Sequence, residues 1–193
     1  MMPVPNSWRL DMHEVGQLYF QLLDQKNMLN RYMEIVNNNP TLMQERRQRN
    51  PWFELGPLTW YAYYSCLVLR NIGDDDDRTV SFYNILTKMG HARYLRHMVF
   101  AGGSTLTQKA IFTDRKTVKD TIKPIKTFAD RVIAHKERGW LTITPPTFNE
   151  VETCMNGLQP VVFKYMNLLL GASSTAYGGP KAGWDSIFAY KWV

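Results

Sequence analysis

The stretch TFNEVETCMNGLQPVVFKYMNLLL, residues 147–170, predicts a long helix that packs on the core of the fold. Thr147 and Glu150 have the spacing of a capping box, in which each side chain accepts a hydrogen bond from the other residue's backbone N–H. Pro160 lies inside the predicted helix and should kink it. Apolar side chains recur every three or four residues, which places them on one face. That face comprises Val151, Met155, Leu158, Val162, Tyr165 and Leu169.

The same periodicity predicts further helices on the N-terminal side of this stretch. The first runs over residues 11–37, with Val15, Leu18, Leu22, Leu29, Tyr32 and Val36 on its apolar face. The second, about 58–72, is apolar nearly all round, as expected at the centre of a fold or in a subunit interface. A short third helix is capped by Thr79 or Asp77, and residues 91–100 continue it or form a separate short helix. A fourth spans roughly 113–138.

No stretch alternates in the manner of a strand, so the predicted fold class is all-α. We expect an up-and-down bundle of four to five helices over residues 1–171, followed by an irregular C-terminal arm, residues 172–193, that is rich in aromatic side chains. A length of 193 residues suits one domain, and 45% hydrophobic against 21% charged residues excludes a disordered chain.

Charge, cysteine content and hydropathy narrow the class of protein. A net charge of +6, spread along the chain, favours anionic partners such as RNA. Cys66 and Cys154 lie in apolar helical patterns, which favours buried thiols in a reducing cytosol over a disulfide. The chain lacks a secretion-signal pattern at its start and any apolar run of about 18 residues, so we expect a cytoplasmic protein that does not enter membranes.

The segment FADRVIAHKER, residues 128–138, carries the candidate chemistry. On a helix of about 100° per residue, His135 lies roughly 100° from the centre of the buried stripe and Arg131 about 40° further out. A guanidinium there can hold phosphate oxygens while an imidazole transfers a proton near neutral pH. The alternative is structural, because a histidine near a helix C-terminus favours the helix dipole and an arginine can simply solvate the surface.

Other candidate sites give weaker signals. The acidic run DDDD, residues 74–77, lacks the glutamate of an EF-hand and fits a solvated helix start better. His91 and His97 are poorly spaced for sharing an ion, and we expect neither metal nor cofactor. Aromatic residues at 60, 61, 63 and 64 indicate core or interface rather than a ligand cage. The basic segment with Arg46 and Arg47, beside Trp52, can bind an RNA backbone or serve as a polar loop.

Three segments resemble one protein family. DRVIAHKE resembles the "AH" signature of the HEPN superfamily, in particular its abortive-infection U-type (AbiU-like) branch. The stretch LVLRNIGDDDDRTVSFYNIL, residues 67–86, is similar to that branch's arginine, acidic turn and Ser-containing helix start. The ending WDSIFAYKW, residues 184–192, resembles its aromatic terminus.

The resemblance implies a dimer in which two Arg/His motifs meet in a cleft, and a metal-independent endoribonuclease of a phage-defence or toxin-type system. His135 would be the general acid or base and Arg131 the phosphate ligand. Apart from the resemblance, the basic residues Lys136, Arg138, Arg46 and Arg47 are candidates for binding the RNA substrate. The family places four to six residues between arginine and histidine, whereas this chain has three.

Two alternatives stay open beside a ribonuclease. The first is a non-catalytic HEPN-like module that dimerises or docks on a protein partner through its C-terminal arm. The second is a protein that binds RNA or a nucleotide without turnover.

Overall fold

The protein is an all-α helical bundle. The computed structural model describes residues 2–41, 44, 48, 52–134 and 143–171; for 52–55 and 134 it describes the backbone alone. The helices within these residues are α1 (Asn6–Asn38), α2 (Trp52–Ile72), α3 (Phe82–Gly90), α4 (Gln108–Phe128) and α5 (Phe148–Leu170). A π-helical turn, Ala129–Ala134, continues α4 directly. Two-residue strands β1 (Met2–Pro3) and β2 (Met98–Val99) pair in parallel, and 3-10 turns occupy Leu95–His97 and Ala101–Gly103.

Helix α5 confirms the capping prediction and packs its predicted face into the core. The Thr147 hydroxyl accepts from Glu150 N at 3.2 Å, and the Glu150 carboxylate accepts from Thr147 N at 2.7 Å. These hydrogen bonds lower the pKa of Glu150. The helix ends at Gly171, whose φ of 67° is readily adopted by glycine. All six residues of the predicted apolar face are buried, and α5 contacts α1, α2 and α4.

Helix α1 begins earlier than the sequence pattern predicts. It starts at Asn6, after Pro5, because Trp8 and Met12 are also buried and extend the apolar face by one turn. Tyr19 on this helix donates a buried hydrogen bond from its hydroxyl to the carbonyl oxygen of Met155, 2.8 Å away. That bond joins the two longest helices among the described residues, which span 33 and 23 residues.

Helix α2 also begins earlier than predicted, at Trp52 rather than near residue 58. Pro57 lies inside it, close to the N-terminus, where proline removes a single backbone hydrogen bond near the helix end. Tyr61, Cys66, Leu69 and Ile72 are buried, which agrees with a central helix.

The start of α3 corrects the prediction of its cap. Ser81 caps the helix by accepting from Asn84 N at 3.1 Å. Thr79 and Asp77 do not have this role because α3 begins at Phe82, and the residue directly before it is Ser81. Residues 91–100 neither continue α3 nor form an α-helix, and β2 within them was missed because two residues cannot show an alternating pattern.

Helix α4 differs from its prediction at both ends. Its first residue is Gln108, capped by the Thr107 hydroxyl, which accepts from Ala110 N at 3.2 Å. After Phe128 the α-helical hydrogen bonding gives way to the π-helical turn. Residues 135–138 of the predicted helix, and the predicted arm at 172–193, lie outside the described residues.

Leu158 and Leu10 form a matched pair for testing the core. Leu158 is fully buried in α5, whereas Leu10 on α1 is 63% exposed. We expect Leu158→Ala to lower the free energy of unfolding by about 2–5 kcal/mol, through lost transfer energy and a cavity. Leu10→Ala should change it by less than about 0.5 kcal/mol. Urea denaturation measures both, and equal effects would contradict the assigned core.

The Cys66 thiol should make stability depend on alkaline pH. Burial, with smaller contributions from Cys154 and Glu150, raises the pKa of Cys66 from 9.0 to about 12. Between these values the unfolded chain loses the thiol proton while the native chain keeps it. Stability from this group is therefore complete below pH 9 and is lost as pH rises toward 12.

The test compares wild type with Cys66→Ala across this pH range. Since the variant cannot titrate there, the stability difference between the two proteins should shrink by about 1.4 kcal/mol per pH unit. Val68→Ala, at a neighbouring buried position of α2 without a titrating group, is the control. Its difference from wild type should stay constant, and parallel behaviour of the two variants would contradict the assignment.

Candidate functional site

Arg131 lies in the π-helical turn at the end of α4, with its side chain exposed between two buried neighbours, Ala129 and Val132. This agrees with a position at the border of the buried stripe. The other predicted site residues, His135, Lys136, Arg138, Arg46 and Arg47, lie outside the described residues. The geometry of the site is therefore built from Arg131 and the groups around its turn.

The backbone at Arg131 is unusual. A π-helical turn forms i→i+5 hydrogen bonds in place of the i→i+4 bonds of an α-helix, so it is wider and less favourable. Such turns are rare and often occur at functional positions. In this chain the turn spans six residues, from Ala129 to Ala134, and the buried side chains of Ala129 and Val132 hold it against the bundle.

An ion pair fixes this turn to α2. Arg70, in the last turn of α2, donates from Nε to Asp130 Oδ1 at 2.7 Å and from Nη1 to Asp74 Oδ2 at 2.9 Å. Asp130 immediately precedes Arg131 in the turn. One guanidinium thus joins α2, the loop after it and the π-helical turn, although Arg70 and Asp130 are 60 residues apart in sequence.

Lys126 extends this arrangement into a cluster of five charged groups. Its ammonium lies 3.6 Å from Asp130 Oδ2 and 3.7 Å from Asp75 Oδ1. We call Arg70, Asp74, Asp75, Lys126 and Asp130 the Arg70 cluster. The hydrogen bond to Asp130 raises the pKa of Arg70, burial opposes that shift, and the charge of Asp74 adds to it. Arg70 therefore stays a cation, as arginine side chains do in proteins.

The acidic run at 74–77 does not begin a helix, and it is solvated only in part, since Asp75 and Asp77 are exposed and Asp74 is not. Asp74 is only 4% exposed and is paired with Arg70. Its backbone carbonyl oxygen accepts a hydrogen bond from the Ser81 hydroxyl at 2.6 Å, so the loop is tied to the cap of α3. Asp76 accepts from Arg78 at 2.9 and 2.6 Å, which holds the pKa of its carboxyl well below the usual range. The run is a structural junction between α2 and α3.

Sequence reasoning missed both Arg70 and Asp130 as members of the site. Arg70 and Asp74 are four residues apart at the end of a helix, a spacing that favours an ion pair, and this signal was available. Asp130 gave the same kind of signal with Lys126, four residues before it, but nothing in the sequence linked Asp130 to Arg70 on another helix.

An apolar pocket lies between α1 and α2. It has a volume of about 250 Å³ and is lined by Gln25, Met28, Leu29, Tyr32, Gly56, Pro57, Trp60 and Tyr61. Trp60 is 53% exposed and stacks on Tyr64 with ring centroids 5.3 Å apart. The aromatic stretch of α2 is thus divided: Tyr61 belongs to the core, whereas Trp60 faces solvent beside the pocket.

His91 and His97, the histidines considered as possible metal ligands, contact neighbouring side chains. The His91 ring packs edge-on against Phe112 at 5.7 Å, and His97 Nε2 accepts from Arg96 Nε at 3.0 Å. Over the described residues, no group of three or more His, Cys, Asp or Glu side chains is arranged to hold a metal ion.

Comparisons with family models, curated proteins and solved structures find no match to this chain. Among the helices that the structure describes, none combines the length and the apolar character needed to cross a membrane. The class that the structure establishes is an all-α helical bundle.

Replacing Arg70 tests the cluster. Arg70→Gln leaves the buried Asp74 carboxylate without its cation and Asp130 with Lys126 alone, and we expect a loss of about 2–4 kcal/mol in the free energy of unfolding. The stability of Arg70→Lys should fall between those of wild type and Arg70→Gln, because an ammonium keeps the charge but lacks the planar fork that reaches both carboxylates.

Arg78→Gln is the matched control, since it also removes an arginine bonded to the acidic loop, but one whose side chain is 85% exposed. It should change stability little, because exposed ion pairs contribute little. Thermal and urea denaturation measure all three variants. An Arg70→Gln protein as stable as Arg78→Gln would contradict the role assigned to the cluster.

Proposed function

We propose that this chain is a HEPN-like, AbiU-like protein that acts on RNA in the cytoplasm as a homodimer, in a phage-defence or toxin-type system. Its activity is metal-independent endoribonuclease cleavage, with Arg131 as phosphate ligand and His135 as general acid or base. The observation that supports it best is the exposed side chain of Arg131 on a π-helical turn that Arg70 anchors through Asp130.

The chemistry needs few protein groups because RNA supplies its own nucleophile. The 2′-hydroxyl attacks the adjacent phosphorus, the bond to the 5′-oxygen breaks, and the products are a 2′,3′-cyclic phosphate and a 5′-hydroxyl. A base takes the proton of the 2′-hydroxyl and an acid gives one to the leaving oxygen. His135 performs one transfer, and His135 of a second copy can perform the other if the two motifs meet in a dimer.

Arg131 stabilises the charge that develops on the phosphorane oxygens. A guanidinium is always protonated and binds two phosphate oxygens through its planar fork. Stabilisation of this kind works best when the donor is fixed before the reaction. The ion pair between Arg70 and Asp130 supports this role, because the carboxylate of the residue directly before Arg131 accepts from Arg70 Nε on α2 at 2.7 Å.

A second candidate function is a non-catalytic HEPN-like module that docks on a protein partner. Two features favour it: the three-residue gap between Arg131 and His135, and the apolar pocket beside the exposed Trp60. In that case the Arg/His motif would be a remnant, and the C-terminal arm, residues 172–193, would contact the partner. Deleting the arm and measuring molar mass by light scattering tests this, and an unchanged oligomer with unchanged partner binding counts against the arm.

The nuclease proposal predicts the effect of removing His135. Purified protein should cleave a structured RNA in the presence of EDTA and leave cyclic phosphate ends. His135→Ala should slow cleavage by about 10²–10⁴-fold, the usual contribution of a general acid or base, without changing the melting temperature.

His97→Ala is the control, since His97 is an exposed histidine in contact with Arg96. It should cleave like wild type. Equal cleavage by wild type and His135→Ala would remove His135 from the mechanism. Salt-dependent RNA binding with no product would leave binding without turnover as the function.

A further inference from the structure

The positive charge of the chain is concentrated on α4. This 21-residue helix carries six basic and two acidic residues, a net charge of +4 out of +6 for the whole chain. The remaining residues hold 17 basic against 15 acidic groups and are nearly neutral. The expectation of a charge excess spread along the chain is therefore wrong, and one helix gives the molecule its basic character.

Three lysines of α4 lie in line on its outer face. Lys109, Lys116 and Lys123 are separated by seven residues, which on an α-helix returns each to within about 20° of the last, at a rise of about 10.5 Å. All three are exposed. The direction opposite to them is occupied by the buried side chains Ile111, Val118, Ile122 and Ile125. We call Lys109, Lys116 and Lys123 the lysine face.

The ammonium groups of the lysine face make few ion pairs with other groups of the protein, as far as the structure describes the chain. Lys109 and Lys123 make no ion pair within the part of the chain that the structure describes. Lys116 lies 3.9 Å from Asp120, but both side chains are well exposed, and such pairs contribute little. Their charge is thus available to a ligand.

The other charged groups of α4 are engaged at its flanks. Asp114 accepts from Lys164 at 2.7 Å and from the Tyr165 hydroxyl at 2.9 Å, on the side facing α5. Lys119 lies 3.5 Å from Asp75. Arg115 lies over the rings of Phe112 and Tyr83, 5.0 and 5.5 Å from their centroids. These contacts hold α4 in the bundle and leave the lysine face directed to solvent.

We propose that the lysine face binds the phosphate backbone of RNA and leads the strand to Arg131. The face is about 21 Å long, and α4 continues directly into the turn that carries Arg131, about 12 Å beyond Lys123. Lysine ammonium groups on flexible stems suit a sequence-independent backbone contact. An anionic membrane is a poorer fit, because interfacial helices insert an apolar face and that of α4 is packed in the core.

This inference rests on the proposed RNA substrate but not on cleavage. The probe is therefore a 20-residue 2′-O-methyl oligouridylate, which lacks the free 2′-hydroxyl and remains intact. Fluorescence anisotropy measures its dissociation constant at several salt concentrations. The test protein is K109Q/K116Q/K123Q, and since all three positions are exposed its melting temperature should match wild type.

The control is R9Q/K26Q/K88Q, which removes the same charge elsewhere. Arg9 is exposed on α1, Lys26 of the same helix pairs with Glu152, and Lys88 pairs with Asp11 of α1. Two of these cations lie on α1 and the third lies on α3 beside it, so none belongs to α4. The control separates a localised binding surface from a general effect of net charge.

Wild type should bind the probe with an affinity that falls steeply with salt. Loss of three phosphate contacts should reduce the slope of log affinity against log salt by about 2 and weaken binding about tenfold or more, since each single-strand contact contributes roughly 0.7 to the slope. The control should bind within about threefold of wild type.

Several outcomes would overturn the proposal. Equal weakening in both triple variants would show that net charge alone attracts the probe. Binding of wild type to phosphatidylserine vesicles but not to the oligonucleotide would assign the lysine face to a membrane. If wild type cleaves ordinary RNA but K109Q/K116Q/K123Q binds the probe as tightly as wild type, the nuclease proposal stands and the lysine face is rejected. If that variant loses binding but wild type cleaves no RNA, the lysine face stands and the nuclease proposal is rejected.

Discussion

A buried carboxylate in the loop after α2 requires a cation, and Arg70 supplies it. Asp74 is almost entirely removed from water, where an unpaired charge would be strongly unfavourable. Pairing with Asp74 uses one edge of the guanidinium and leaves Nε for Asp130 on the π-helical turn. The need to compensate one desolvated charge therefore determines the position of three segments: the end of α2, the loop to α3 and the turn that presents Arg131.

Helix α4, which leads into this turn, has two sides with different roles. The inner side holds apolar residues against the core, and its flanks are held by Asp75, Asp114 and their partners. The outer side carries cations that the fold does not use. Because α4 and the π-helical turn form one continuous element, a phosphate backbone on the outer side and an arginine at its end would share a single rigid support. Binding and positioning would then depend on the same packing.

The sequence predicted correctly those features that depend on residues close together in the chain. The capping box of α5, its buried stripe and the burial of both cysteines follow from short-range spacing, and all are confirmed. The predicted cap of α3 was wrong because the helix begins at Phe82, two or more residues later than a cap at Thr79 or Asp77 requires. The bond between Arg70 and Asp130 could not be read from the sequence, since its partners are brought together by helix packing. The seven-residue spacing of the three lysines, in contrast, was visible in the sequence. Finding it required the charges to be counted along one helix face rather than over the whole chain.

The π-helical turn also bears on the short gap between Arg131 and His135. In an α-helix, successive side chains advance by about 100°, so residues four apart overshoot a full turn by about 40°. A π-helical turn holds about 4.4 residues per turn, which makes the advance smaller and leaves residues four apart short of a full turn by about 30°. The spacing that aligns two side chains is therefore longer on this backbone than on an α-helix. The described part of the gap, from Arg131 to Ala134, lies on this backbone, where three intervening residues leave two side chains about as far from alignment as on an α-helix, so the short gap continues to favour the non-catalytic alternative.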